Sequence, residues 1–421
     1  MTRSEILTSD LLSAVQKSEQ KVKTPFWLYE ADPIRKRVQQ LKAFDCIRYA
    51  QKANSNVHIL KILRAEGVRV DAVSLGEIER ALRAGFVPGT KDEEIVFTAD
   101  IINDETLARV VELGIPVNCG SLDMLEQLGT ASKGHPVWLR LNPGFGHGHS
   151  RKTNTGGPFS KHGIWYEELE EAVALVKKHG LDLVGLHMHI GSGVDYSHLQ
   201  RVGDSMVAFV KQLSHPIRAI STGGGLSVPY KSGETEVDAQ HYFDIWQETR
   251  QRIEELQGVQ VRLEIEPGRY LVGNAGILVA KVYAVKKVAD KHFVLLDAGF
   301  TDLARPAMYG SYHEIDFVKA NGEEVTDPLT EFAIGGPLCE SGDVFTQQEG
   351  GVVEFRCLPL PQVGDLAILR DAGAYGATMS SNYNSRPLIP EVLLDNGQLR
   401  TIRNRQTIEQ LMDLEVQSEV F

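Results

Sequence analysis

VRVDAVSLGEIERALRA, residues 68–84, decides the fold. A strand-length apolar run (68–74) passes straight into a helical pattern (75–84). The pattern recurs. Apolar runs of strand length lie at 44–51 (FDCIRYAQ), 93–99 (EEIVFTA), 115–121 (IPVNCGS) and 136–143 (PVWLRLNP). Others lie at 183–190 (LVGLHMHI), 217–225 (IRAISTGGG) and 261–268 (VRLEIEPG), which with 68–74 makes eight. Further helical patterns fall at 104–113, 167–179 and 243–256. Strands alternating with helices mean parallel pairing. Eight such units predict an α/β fold, a closed (β/α)8 TIM barrel over residues 31–275. Its chemistry belongs at the C-terminal strand ends. Beyond residue 275 the runs ILVAKVYAVKKV, HFVLLDAG, VEFRCLPL and DLAILRDAG follow with little helical spacing. They predict a C-terminal antiparallel β domain, 276–421. Residues 1–30 end in the strand-like PFWLYE, are too few to fold alone, and are assigned to that domain.

The chain has 421 residues and a formal net charge of -12. An acidic balance argues against a nucleic-acid partner. No run approaches the ~20 apolar residues of a membrane span. The opening MTRSEILTSDLL lacks the apolar core of a signal peptide. Cys46, Cys119, Cys339 and Cys357 lie far apart with no CxxC pair, so neither a disulfide framework nor a zinc knuckle is expected. These features predict a cytoplasmic protein without a membrane or nucleic-acid partner.

Unusual residues collect at the predicted strand ends. Lys52 follows the first strand, His189 closes the sixth, Gly223, Gly224 and Gly225 follow the seventh, and Glu266 opens EPGR after the eighth. Each has an ordinary alternative. Lys52 reads equally as a solvated charge, and the triple glycine as a flexible turn. Glycines also let backbone N–H groups approach an anion, and Ser192 is placed to add a hydroxyl. In HMH (187–189) both imidazoles point to one face of a strand. Two such imidazoles suit zinc, so a metal-dependent barrel hydrolase is a rival. No obvious third and fourth ligand stands at the strand ends; HGHS (147–150) is a source of some, but it lies in a long Gly-rich loop and reads better as a lid. His187 reads best as a packed interior residue. A phosphorylated carbonyl cofactor, pyridoxal phosphate, accounts for every feature. Lysine amines condense with carbonyls, a carboxylate such as Glu266 keeps a pyridine nitrogen protonated, His189 lies against the ring, and the glycines with Ser192 and Arg269 hold the phosphate.

YAQKAN, VDAVSLGEIERAL, HMHIGSG, STGGG, EIEPGR, DAGFTDLARPAMYG, GPLCESGD and GAYGATMSSNYNSRP occur in that order. This set resembles the fold-type III pyridoxal-phosphate decarboxylases, most closely the branch that converts meso-2,6-diaminopimelate to L-lysine. The resemblance runs from Phe26 to about Val392. It implies that Lys52 holds the cofactor carbonyl in a buried site, that His189 stacks on the ring, and that Glu266 faces its nitrogen. It implies cofactor contacts from Gly225, Pro267, Gly268 and Arg269 and a phosphate contact from Tyr375, with Asp71 and Arg140 orienting the lysine and cofactor. Arg269, Arg305 and Tyr309 match positions for the substrate's distal carboxylate, and Glu340 the group that reads its distal amine. Tyr375 also matches a substrate contact, and Cys339 the proton donor. The resemblance implies a homodimer in which Cys339 and Glu340 come from the partner copy. It departs from the pattern in SKHGI (160–164), where His162 stands at a position that many members fill with phenylalanine. The Gly-rich segment 144–157 beside it is expected to act as a lid. Ornithine or arginine decarboxylases, amino-acid racemases and an inactive regulatory homologue remain rivals. A racemase would pair the ring nitrogen with arginine, and an ornithine decarboxylase would need no arginine for a distal carboxylate.

Overall fold

The computed structural model describes residues 8–89, 93–146, 155–189, 191, 195–326 and 328–415. The chain opens with helix α1 (Ser9–Val22), strand β1 (Phe26–Glu30) and helix α2 (Ala31–Gln40). Strands and helices then alternate: β2 (Cys46–Ala50), α3 (Val57–Ala65), β3 (Arg69–Ala72), α4 (Leu75–Ala84), β4 (Ile95–Ala99), α5 (Asp104–Leu113), β5 (Val117–Cys119), α6 (Leu122–Ala131) and β6 (Pro136–Asn142). The two-residue β7 (Ile164–Trp165) precedes α7 (Leu169–His179), β8 (Asp182–His187), α8 (Tyr196–Val210), β9 (Ala219–Ser221), α9 (Ala239–Gln257) and β10 (Arg262–Ile265). β2-β3-β4-β5-β6-β8-β9-β10 close into a parallel barrel, because β10 pairs with β2 and β5 with β6. The eight barrel strands are the eight read from the sequence, and β7 is a short appendage on β6.

Local chemistry sets the helix limits. Ser74 Oγ accepts the Glu77 N–H at 3.2 Å, and Glu77 Oε2 accepts the Val73 N–H at 2.8 Å. This reciprocal cap starts α4 directly after β3. Gly85, at φ +99°, ends it in the left-handed conformation that glycine tolerates. Five of these helices were not read from the sequence: α1, α2, α3, α6 and α8. In α6 and α8 a glycine interrupts the pattern, and packing explains both. A Cβ on Gly129 would collide with the His179 ring of α7, and one on Gly203 with Thr249 of α9. Close helix contact there outweighs glycine's poor helix propensity.

An ion cluster buried in the barrel fixes the strands on either side of the closure. Arg48 Nε on β2 donates to Glu264 Oε2 on β10 at 2.9 Å, with both side chains 1% exposed. Arg262 Nε donates to the other Glu264 oxygen at 2.7 Å. Burial pushes the Glu264 carboxyl up, but the two guanidiniums outweigh it and hold it below its ordinary range. A charge so deeply buried is tolerated only with such partners. β2, which leads to Lys52, is thereby locked beside β10, which leads to Glu266.

The remaining strands are β11 (Gly276–Val288), β12 (Lys291–Leu296), β13 (Ile315–Val318), β14 (Leu329–Gly335), β15 (Arg356–Pro359), β16 (Leu366–Leu369), β17 (Glu391–Asp395) and β18 (Gln398–Arg403). With β1 they form a nine-stranded sheet. The sequence predicted an antiparallel sheet, and the observed one is mixed: β1 runs parallel to β17 and β12 parallel to β14. α1 covers it, placing Leu11, Ala14 and Val15 against Phe26, Leu28, Val279 and Ile368. The chain divides into two compact units: 35–227 with 237–271, and 1–34 with 228–236 and 272–421. The segment 228–236, read as part of the barrel, thus groups with the sheet. Among the described residues no helix is long and apolar enough to cross a membrane.

Candidate active site

The barrel unit carries one set of candidate residues at its C-terminal strand ends. Lys52 sits in the single 3-10 turn Gln51–Ala53 that follows β2. The turn is anchored on both sides. The Tyr49 hydroxyl donates to the Asn54 carbonyl at 3.0 Å, and the Ala50 N–H donates to the Pro267 carbonyl at 3.1 Å. The second bond ties the lysine turn to the EPGR turn, where Gly268 leaves room for the Ala50 carbonyl. Lys52 was expected to be buried; instead it is exposed, because the turn carries it past the end of the strand. Its charge still reaches Asp71, Glu77 and His189.

Glu266 is gripped through both oxygens. Ser221 Oγ, at the end of β9, donates to Oε1 at 2.6 Å, and His187 Nε2, at the end of β8, lies 2.9 Å from Oε2. Burial pushes this carboxyl up, and the His187 ring with the two hydrogen bonds brings it well below its ordinary range. Asp71 goes the other way. Burial, and then the charge of Glu266, raise it well above the usual carboxylate range, against a Thr98 hydrogen bond and the Lys52 charge. Its Oδ1 has no hydrogen-bond partner among the described residues. Two nearby carboxyls with opposed proton affinities are a mark of an acid–base site.

His189 accepts the Gly224 N–H on Nδ1 at 3.1 Å, which leaves its ring hydrogen on Nε2. Burial, then the charges of Arg140 and Lys52, hold this imidazole well below its usual range. The imidazole is therefore neutral. A Cβ on Gly223, at φ +63°, would stand 2.6 Å from the Met188 carbonyl oxygen. A Cβ on Gly224 would strike the Glu266 carbonyl. The glycines are thus required for the β9 turn to pass between the ends of β8 and β10. Two of the three amides expected to face a phosphate are used internally: Gly223 N–H goes to Ser221 Oγ at 3.2 Å and Gly224 N–H to His189. Gly225, at φ +103°, follows them. Ser192 lies outside the described residues, as do residues 147–154 of the expected lid, HGHS included. His162 lies at the foot of that segment. Its Nδ1 is 2.6 Å from Asp100 Oδ2, and the Gly163 N–H donates to Asp100 Oδ1 at 2.9 Å.

The sheet unit carries the second set. Arg305, 5% exposed, opens the short helix Arg305–Tyr309, with Nη1 3.1 Å from His313 Nε2 and Cζ 4.8 Å from the Tyr230 ring centroid. Tyr309 is half-buried, and Tyr375 is half-buried at φ +58°. That left-handed geometry is uncommon for an aromatic residue and marks a position held for its direction. Cys339 and Glu340 are exposed, so Cys339 is not core filler, in contrast to the buried Cys46 and Cys119. Asp343 holds their loop by accepting the Leu338 N–H and the Phe300 N–H at 2.8 Å and 2.7 Å. Asn384 accepts the Cys339 N–H at 3.0 Å.

The barrel set suits pyridoxal phosphate: an exposed amine, an ionised carboxylate, a neutral imidazole and a glycine turn stand at the ends of β2, β10, β8 and β9. It does not suit the rival zinc reading. The lone pair of His189 Nδ1 and the proton of His187 Nε2 are committed to different partners. Sequence reasoning missed Ser221, Thr98, Asp343 and Asn384, and gave His187 a packing role or a place in the rival zinc pair. Ser221, Asp343 and Asn384 lie within quoted motifs, but nothing in their identity distinguishes them from turn residues.

Comparison with known proteins agrees. Residues 31–273 match the family model for the pyridoxal-binding domain of pyridoxal-dependent decarboxylases. Diaminopimelate decarboxylase of Escherichia coli K12 is 60% identical over 393 residues, 93% of this chain and 94% of its own. That of Streptomyces coelicolor is 61% identical over 394 residues, 94% of this chain and 90% of its own. A crystal structure of diaminopimelate decarboxylase superposes with a TM-score of 0.94 at 58% identity, covering 96% of this chain and 97% of that one.

Proposed function

This chain belongs to the pyridoxal-dependent decarboxylases, and we propose that its reaction is the decarboxylation of meso-2,6-diaminopimelate to L-lysine and carbon dioxide. One observation carries the reading. Glu266 is held ionised by donors on both oxygens, on the strand end hydrogen-bonded to the Lys52 turn. Bound pyridoxal phosphate supplies a ring that accepts the electron pair of the breaking C–C bond while its nitrogen stays protonated. Lys52 is the amine that holds its carbonyl carbon. Glu266 would face the ring nitrogen, His189 the ring, and Gly225 and the EPGR turn would hold the phosphate end; Tyr375 is assigned a phosphate contact by the family resemblance alone.

The substrate has an amine and a carboxylate at each end. One end reacts, and the other needs a cation and an anion to bind it. By the family resemblance, Arg269, Arg305 and Tyr309 are each assigned to the distal carboxylate, since arginine–carboxylate pairs are strong and directional. Glu340 takes the distal ammonium. Cys339 Sγ returns a proton to the α-carbon, a role its exposure supports. We place the reaction in the cytoplasm, in keeping with four unpaired cysteines. We also place Cys339 and Glu340 in the site of a second copy.

Purified protein supplied with pyridoxal phosphate is expected to convert meso-diaminopimelate to lysine, with little turnover of ornithine or arginine. Preference for ornithine would overturn the substrate assignment. Arg305→Ala should raise KM for meso-diaminopimelate by roughly tenfold to a hundredfold, the loss expected for a charged hydrogen bond, while leaving cofactor affinity unchanged. Unaltered kinetics would remove Arg305 from the site. Mixing inactive Lys52→Ala and inactive Cys339→Ala proteins should restore activity. No restoration, with subunit exchange demonstrated, would mean that each copy completes its own site.

A further inference from the structure

His187 does more than fill the barrel. It is the last residue of β8 and 1% exposed. A carboxylate only accepts, so the 2.9 Å contact with Glu266 Oε2 puts a hydrogen on Nε2. His187 Nδ1 is buried with no hydrogen-bond partner among the described residues. Geometry therefore aims the Nε2 hydrogen of this ring at Glu266. Ser221 matches it on the other oxygen and is itself fixed by the Gly223 N–H.

We propose that His187 is a positioning residue for the decarboxylation: as an N–H donor it keeps the Glu266 carboxylate ionised and aimed, with Ser221 as the second arm. The proposal rests on the reading that Glu266 faces the cofactor's ring nitrogen. Asp71 provides the internal contrast. It is buried in the same barrel, lacks a partner on Oδ1, and has its proton affinity driven up where that of Glu266 is driven down. The His187 ring, together with the hydrogen bonds on both Glu266 oxygens, separates the cases. Arg48, Tyr242 and His189 also feel or exert the Glu266 charge, but none is shown hydrogen-bonded to it. The same geometry makes the two histidines of HMH complementary. One has its nitrogen lone pair engaged by Gly224, and the other points its hydrogen at Glu266.

The test compares cofactor-loaded parent, His187→Leu and His187→Gln. Glutamine places an uncharged N–H donor near the position of Nε2, and leucine places none. The readouts are kcat, KM and the visible absorption of the bound cofactor across pH, which reports protonation of its ring nitrogen. His187→Leu is expected to lower kcat by about tenfold to a hundredfold, the fold-change matching one charge-assisted hydrogen bond. It should shift the absorption profile and leave KM unchanged. His187→Gln is expected to restore both the rate and the parent spectrum. A parent-like His187→Leu spectrum overturns the proposal, and so does a glutamine variant as impaired as leucine, which would mean that charge rather than donation matters. If His187→Leu fails to fold, Ser221→Ala carries the test, and an unshifted spectrum there overturns the proposal as well. A Glu266→Gln enzyme with parent rate and spectrum would instead refute the reading of Glu266 itself.

Discussion

Lys52→Ala is expected to abolish turnover. The fall in kcat should be on the order of a thousandfold or more, as for loss of a covalent catalytic group. The protein should remain folded, because the Lys52 side chain is exposed and its turn is held by backbone bonds that alanine keeps. Exposed substitutions of this kind move stability by about 0.5 kcal/mol or less. A urea midpoint equal to the parent's, with no activity and no covalently held cofactor, is the expected combination. It separates lost chemistry from lost structure. There is a secondary effect on Asp71. The lysine charge lowers the proton affinity of that carboxyl, so its removal should raise it further and make the barrel interior less tolerant of high pH. Activity within tenfold of the parent would exclude Lys52 as the cofactor's amine.

Glu266→Ala is expected to be the next most damaging change, lowering kcat by about a hundredfold to a thousandfold, the range for deleting one preorganised electrostatic partner. KM should change little, since on the proposed reading Glu266 faces the ring rather than the distal end of the substrate. The substitution also strands the Ser221 hydroxyl and the His187 N–H, so some stability is lost, at about 1–3 kcal/mol for each buried unsatisfied group. The proton affinity of Asp71 should fall, because the Glu266 charge that helped raise it is gone. Steady-state kinetics with urea unfolding would separate the two consequences. A variant that loses stability but keeps kcat would reduce Glu266 to a structural residue.

The barrel was legible because its strands are short apolar runs set between amphipathic helices, and that pattern is local. α4 and α5 begin and end where the periodicity does, with serine or asparagine before them and glycine after. α6 and α8 were not legible, because Gly129 and Gly203 serve contacts with other helices that no local window contains. The mixed sheet was hidden for a related reason. Strand direction is set by partners far along the chain, such as Trp27 opposite Glu391. Among site residues, Lys52, Glu266 and the glycines stood out by chemistry at strand ends. The exposure of Lys52 did not, since it depends on a single turn. Nor did the division of labour in HMH, because alternation puts both rings on one face but says nothing of what each nitrogen meets. Ser221 was the least visible, since a serine before three glycines reads as turn chemistry until Glu266 is seen beside it.

The most direct test of the account is chemical. Protein loaded with pyridoxal phosphate is reduced with borohydride, digested, and its peptides weighed by mass spectrometry. The pyridoxyl group is expected on Lys52 and nowhere else, with loss of visible absorption in proportion. A modified lysine elsewhere, or an unmodified Lys52 peptide from protein that remains active, would contradict it.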